Sequence, residues 1–216
     1  MQVPKPKVER TSSGIKFLRM SLEEYMVWQL HQERKYEFHN GVVVLAMAGS
    51  KDRRHQTVGT NLIMFAGGKL PDRCDYHSSD QALYVHETER MFFPDGAITC
   101  GEIEEFTTDT GLNAITNPIV LFEVLSDTSE GYDRGEKMRN YTRLPSLRHL
   151  VFVTRNHAII DVVTRTDAGD WKIDSVSGLD ATLDLPAVGL SVPLREVYRK
   201  VTLDPDLPDL RGVDES

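Results

Sequence analysis

Apolar and polar positions alternate along this chain in blocks that change period several times, and the changes outline its elements. Ser21 followed by Glu24 has the form of a capping box, and Leu22, Tyr25, Met26 and Leu30 recur at helical spacing, so a first helix is predicted over 22–32. Tyr36 to Phe38, Asn40-Gly41 and Val42 to Met47 read as strand, hairpin turn and strand. A second helix should begin near Lys51, place Val58, Leu62, Phe65 and Ala66 on one face and break at Gly67-Gly68. Cys74 to Ser78, Ala82 to His86 and Met91 to Cys100 have the look of a three-stranded meander, followed by an acidic loop and a strand from Pro118 to Leu125. Asp133 with Glu136 forms a second capping pattern, opening a helix that should end near Leu144-Pro145 with Met138 and Tyr141 toward the core. Three short strands follow, Arg148 to Thr154, Ala158 to Thr164 and Trp171 to Val176, and then a loosely patterned end from Leu183 to Val201. The order predicts one α/β domain with a mixed central sheet flanked by helices.

Both ends of the chain fall outside that pattern. Residues 1–15, with Pro4 and Pro6 among lysines, carry too little apolar surface to offset ordering and are expected to form a flexible arm. Residues 16–201 are the expected domain, and 202–216 an acidic tail. With 216 residues and 40% hydrophobic composition, one domain can bury a substantial core. Val42 to Ala48 is the longest apolar run, far below the roughly 20 residues of a membrane helix, and Met1 to Ile15 lacks the apolar centre of a signal peptide. A cytoplasmic protein without membrane contact is expected. Cys74 and Cys100 lack CxxC spacing and are expected as buried thiols. Asn140-Tyr141-Thr142 matches a glycosylation sequon inside a helical stretch and is read as accidental.

The formal net charge of −8 argues against nucleic-acid binding through bulk electrostatics, but its distribution is uneven. Acids concentrate in the tail and in the loop of Glu102, Glu104, Glu105 and Asp109. Arg134, Lys137, Arg139, Arg143 and Arg148 form one basic stretch, and Lys51, Arg53, Arg54 and His55 another. Several chemistries are excluded by pattern. Gly68-Lys69 lacks the rest of a phosphate loop, no GxGxxG or GxSxG occurs, and His86-Glu87 has Arg90 where a zincin would need its second histidine.

One position stands out: Glu123 lies inside Ile119 to Leu125, an apolar run that reads as a buried strand. A buried carboxylate is costly unless a cation or donors compensate it. Upstream, Pro94-Asp95 punctuates a second β-prone run, and two strand carboxylates are the usual minimum for holding a divalent metal. Ordinary readings remain beside these. Asp95 could close a turn, Glu123 could pair with Arg139 in a structural ion pair, Glu37 could be hairpin surface, and Lys137 could be a solvated lysine. His55 suits a helix face or a phosphate contact better than a metal ligand, because no second histidine lies at ligand spacing.

Pro94-Asp95 followed by Glu123 in an apolar strand resembles the PD-(D/E)XK nuclease superfamily, although Leu125 occupies the position of its usual lysine. The wider set, Tyr36-Glu37, Gly41, Met47-Ala48-Gly49, His55, Pro94-Asp95, Glu123-Val124-Leu125-Ser126 and Asp133-Arg134-Gly135-Glu136-Lys137 with Tyr141, is similar to the restriction endonuclease-like family abundant in cyanobacteria. The likeness covers roughly residues 20 to 165, and Ser126-Asp127-Thr128-Ser129 departs from the Ser-Pro-Ser-Thr more usual there. The resemblance implies a restriction endonuclease-like α/β fold that cleaves phosphodiester bonds with Mg2+ or Mn2+. Asp95 and Glu123 would hold the metal, Lys137 would come from the following helix, and Glu37 would assist. It also implies DNA as substrate, with Arg134, Arg139, Arg143 and His55 as nucleic-acid contacts, and a homodimer. The rival reading is a DNA-binding or protein-interaction module that kept the fold and lost cleavage.

Overall fold

The computed structural model describes residues 3–10, 16–46, 53–109 and 112–205. Met47-Ala48-Gly49, Lys51, much of the expected arm and residues 206–216 lie outside the described residues. In chain order the strands are β1 Lys7–Arg10, β2 Lys16–Arg19, β3 Tyr36–His39, β4 Val42–Leu45, β5 Cys74–Ser78, β6 Ala82–Val85, β7 Arg90–Phe92 and β8 Gly96–Cys100. They continue with β9 Glu105–Phe106, β10 Ala114–Ile115, β11 Val120–Leu125, β12 His149–Thr154, β13 Ile159–Arg165, β14 Trp171–Ser177, β15 Thr182–Leu185 and β16 Leu190–Pro193. The helices are α1 Leu22–Gln29, α2 Arg53–Gly67, a composite α3 over 130–141 and the short α4 Leu194–Val197.

Instead of one central sheet there are two large mixed sheets. The first has the order β1-β2-β4-β3-β7-β6-β10-β9, the second β14-β13-β12-β11-β8-β5, and β15 and β16 form a separate pair. Each large sheet has one parallel pair, β10 with β6 and β11 with β12, among antiparallel ones. The expected meander is corrected accordingly: β5 pairs with β8 in the second sheet, whereas β6 pairs with β7 in the first. The cause is Phe93-Pro94-Asp95, which interrupts the run Met91 to Cys100. Proline has no N–H for the ladder, so the strand ends and the chain passes from one sheet to the other.

Local chemistry explains the other boundaries. Ser21 and Glu24 make the expected capping box, at 3.2 Å and 2.9 Å. α1 stops at Gln29 rather than Gln32, because the Gln29 side chain bonds the Arg34 carbonyl and the Tyr36 N–H and so turns the chain into β3. Asn40 and Gly41 adopt φ of 46° and 88°, the left-handed pair that a tight hairpin requires, and set His39 opposite Val42. Within the segment expected as an arm, Lys7–Arg10 pairs antiparallel with β2. Cys74 and Cys100, expected as thiols, face each other across β5 and β8 and are joined in a disulfide. Strand register, invisible in their separation along the chain, brings them together.

α3 begins at Glu130, three residues before the expected start. Asp133 is therefore an interior, buried residue and not a cap. Its middle, Asp133–Lys137, is π-helical, with the Met138 N–H donating to the Asp133 carbonyl.

β11 is buried along its whole length and splits its side chains between two cores. Val120, Phe122 and Val124 face a cluster built with α2, β12, β16 and α4. Leu121 and Leu125 face the opposite cluster, where Tyr141 and Leu144 pack against Leu83 and Phe92 of the first sheet. Alternation sends Glu123 to that second face, under α3. α1 closes the far side of the first sheet through Tyr25, Met26 and Trp28. No helix among the described residues is long and apolar enough to cross a membrane.

Candidate active site

Glu123, 1% exposed, directs both carboxylate oxygens at α3. Oε2 accepts a hydrogen bond from Lys137 Nζ at 2.9 Å, and Oε1 accepts one from the Tyr141 hydroxyl at 2.7 Å. Lys137 and Tyr141 stand one helical turn apart, as does Asp133 on the other side, whose Oδ1 lies 3.0 Å from the ammonium. Glu37 arrives from β3 in the other sheet, with Oε1 4.0 Å from Lys137 Nζ and Oε2 accepting from the Tyr132 hydroxyl.

Asp95 stands at the crossing between the sheets. β8 starts only at Gly96, so the backbone ladder against β11 ends at the pair Phe122 and Gly96. The Asp95 side chain continues it, Oδ2 accepting from the Val124 N–H at 2.7 Å. His55 Nε2, from the first turns of α2, lies 3.2 Å from the same oxygen. The Asp95 side chain keeps 22% of its surface exposed against 2% for Glu123, and Oδ1 accepts no bond among the described residues. Gly96 is glycine for want of space: a Cβ there would come within 2.1 Å of the Tyr76 hydroxyl.

The charges respond to this crowding. Burial drives the Glu123 carboxyl well above its usual range, Asp133 and Asp95 push it further, and Lys137 only partly opposes them. Burial would lower the Lys137 ammonium, yet Glu123, Asp133, Glu37 and Asp95 together hold it well above its ordinary value. Asp95 goes the other way: burial would raise it, but the His55 hydrogen bond and charge, Lys137 and the Val124 N–H bring it below the usual carboxylate value. Burial alone would lower His55, and Asp95 raises it above the ordinary imidazole value.

Asp95, Glu123, Lys137, Glu37 and His55 thus come to one place, and the three arginines do not. Arg134 bonds Glu130 and Asp161 at 2.8 Å and 2.6 Å, Arg139 pairs with Glu136, and Arg143 pairs with Glu87. The alternative partner for Glu123 falls with them, since Arg139 is engaged elsewhere and Lys137 holds the glutamate. Three members escaped sequence reasoning. Asp133 was readable from its helical spacing to Lys137 and Tyr141, whereas Tyr132 and His39 carried no signal of their own.

The model of the Uma2 family, described as "Putative restriction endonuclease", matches residues 22–195. The chain belongs to the Uma2 family. It is 31% identical over 189 residues to the uncharacterized protein slr1290 of Synechocystis sp., spanning 87% of this chain and 96% of that one. The uncharacterized protein sll1609 of the same organism is 25% identical over 166 residues, 76% of this chain and 92% of that one. A crystal structure of "a putative nuclease belonging to DUF820" from Anabaena variabilis shares the fold, with a TM-score of 0.61 at 11% identity, covering 77% of this chain and 91% of that chain. The Uma2 match and this neighbour support the PD-(D/E)XK resemblance and the mixed α/β, restriction endonuclease-like fold class expected from the sequence.

Proposed function

We propose that this Uma2 protein is a metal-dependent endonuclease that hydrolyses phosphodiester bonds of DNA, using Mg2+ or Mn2+ at Asp95 and Glu123. One observation carries the reading: among the described residues a single ammonium, Lys137, lies within 4.0 Å of Glu123, Asp133 and Glu37 and feels the charge of Asp95 as a fourth carboxylate. A structural ion pair is balanced one to one, whereas here the acids outnumber the cations Lys137 and His55 among the described residues. The donor set, oxygens of carboxylates, is that of a hard divalent cation, and Asp95 offers an open oxygen. Bound there, such an ion supplies a Lewis acid for phosphate charge and lowers the pKa of water.

The protein's own groups have distinct tasks. Asp95 stays ionised through His55 and the Val124 N–H, ready to hold a cation. Lys137, positioned between Glu123 and Asp133, brings positive charge to the phosphate, the task of the lysine missing at Leu125. Glu37 orders water from the neighbouring strand. Arg134 and Arg139 on α3, and Arg143 just beyond its end, contact the DNA backbone by exchanging their present carboxylate partners for phosphates. His55, engaged with Asp95, serves the metal acid rather than the nucleic acid. The protein acts in the cytoplasm as a homodimer, so that each site meets one strand.

Two measurements test this. Calorimetry with MgCl2 and MnCl2 should show one site in the wild type and none in Asp95→Ala, and relaxation of supercoiled plasmid should require the metal and Lys137. Metal binding equal in wild type and Asp95→Ala removes the nuclease reading. DNA binding without metal binding favours the rival, a module that kept the fold and lost cleavage.

A further inference from the structure

Glu37 does not hold its orientation alone. One of its oxygens is taken up by a pair of rings from different elements: Tyr132 at the start of α3 and His39 two positions along β3. The Tyr132 hydroxyl donates to Glu37 Oε2, and His39 Nε2 lies 3.0 Å from the Tyr132 oxygen and 3.3 Å from the same carboxylate oxygen. Because the phenol has given its one proton to Glu37, and a carboxylate only accepts, His39 Nε2 must carry the proton that completes the triangle. The two rings are nearly parallel, with an interplanar angle of 7°. Glu37 is 2% exposed, so protein groups, these two donors and Lys137 among them, set the orientation of its carboxylate.

The arrangement fixes a direction. With Oε2 held by Tyr132 and His39, Oε1 is the oxygen that faces Lys137, 4.0 Å away, and through it the cluster of acids. Burial, followed by the charge of Glu37, keeps the Tyr132 phenol protonated far above its ordinary value, so it remains a donor throughout the working pH range. A purely structural tyrosine in this place could bond a backbone carbonyl at lower cost than it takes to desolvate a carboxylate.

We propose that Tyr132, with His39 behind it, is a positioning residue of the metal site, acting through Glu37 by turning its free oxygen toward the cation and its water. This rests on the metal-dependent reading above. It predicts that the effect of Tyr132 disappears once Glu37 no longer has a carboxylate to orient.

The test is a double-mutant cycle read as Mn2+ affinity by calorimetry, with thermal unfolding in chelator to confirm that each variant is folded. Tyr132→Phe keeps the ring and should weaken Mn2+ binding about tenfold, the scale of outer partners of a metal site. Glu37→Gln should weaken it comparably, and Tyr132→Phe added to Glu37→Gln should weaken it no further. If Tyr132→Phe does not fold, His39→Gln carries the same cycle, with a smaller loss in the native background and none beside Glu37→Gln. Unchanged affinity in Tyr132→Phe, or an equal loss with and without the Glu37 carboxylate, overturns the proposal and leaves the metal site standing. A wild type that binds no Mn2+ overturns both.

Discussion

Lys137→Met removes the ammonium that the described structure places in a buried group of acids, while keeping the length of the side chain. A charge-assisted hydrogen bond to Glu123 at 2.9 Å and an ion pair with Asp133 at 3.0 Å are lost, and each partner is left buried. Hydrogen bonds to charged groups contribute about 1.5–3 kcal/mol each, and breaking a buried ion pair on one side costs about 3–5 kcal/mol. Proton uptake limits the damage, because the Glu123 carboxyl is already displaced upward and becomes neutral more readily once Lys137 is gone. A loss of about 4 kcal/mol is expected at pH 8. For a chain of this size that is a fall in Tm of about 8–16 °C. At pH 5 the gap to wild type should narrow, since protons then replace the missing ammonium. Thermal unfolding of both proteins in chelator, at the two pH values, measures it. A loss below about 1 kcal/mol, or a gap of the same size at both pH values, would refute the placement of Lys137 as the cation holding this cluster together.

Glu123 and Asp95 should shape the pH dependence in opposite senses. The folded Glu123 carboxyl is raised, so its contribution is full below the ordinary value of 4.5 and is lost as pH rises through the raised value. Wild-type stability in chelator, followed by urea unfolding, should therefore decline toward alkaline pH, and Glu123→Gln should flatten that decline while abolishing metal binding. The folded Asp95 carboxyl is lowered, so its contribution is present above the ordinary value of 3.8 and is lost as pH falls through the lowered one. Asp95→Asn should flatten the acid limb. Under non-reducing conditions, Cys74→Ser with Cys100→Ser should cost about 3.5 kcal/mol, the loop-closure entropy of a bridge of this span, and the denatured wild type should show no free thiol.

What the sequence made legible follows from which signals are local. Glu123 could be read because a charge inside an apolar strand is costly wherever that strand packs, and Asp95 because proline breaks a ladder by its own covalent structure. The hairpin at Asn40-Gly41 and the box at Ser21 and Glu24 were legible for the same reason. Pairing between distant segments was not. The disulfide depends on the register of β5 against β8, and the division into two sheets depends on where the chain goes after Phe92, which alternation within Met91 to Cys100 does not encode. Asp133 was misread as a cap because a carboxylate near the start of a helix looks the same whether it faces a backbone N–H or a buried lysine. Arg134 and Arg143 looked free in sequence because their partners Asp161 and Glu87 come from distant segments, β13 and the turn after β6.

The passage of the chain between sheets at Pro94-Asp95 means that no half of this molecule contains the site. Glu37 and His39 travel with one sheet, Glu123 with the other, and Lys137, Tyr132 and Tyr141 with the helix wedged over them. A loosened state that kept both sheets and α3 but let their faces slide apart would retain its secondary structure and lose its chemistry. The acidic centre is thus a gauge of docking between layers: its carboxylates stand together only while the two sheets and α3 hold their places.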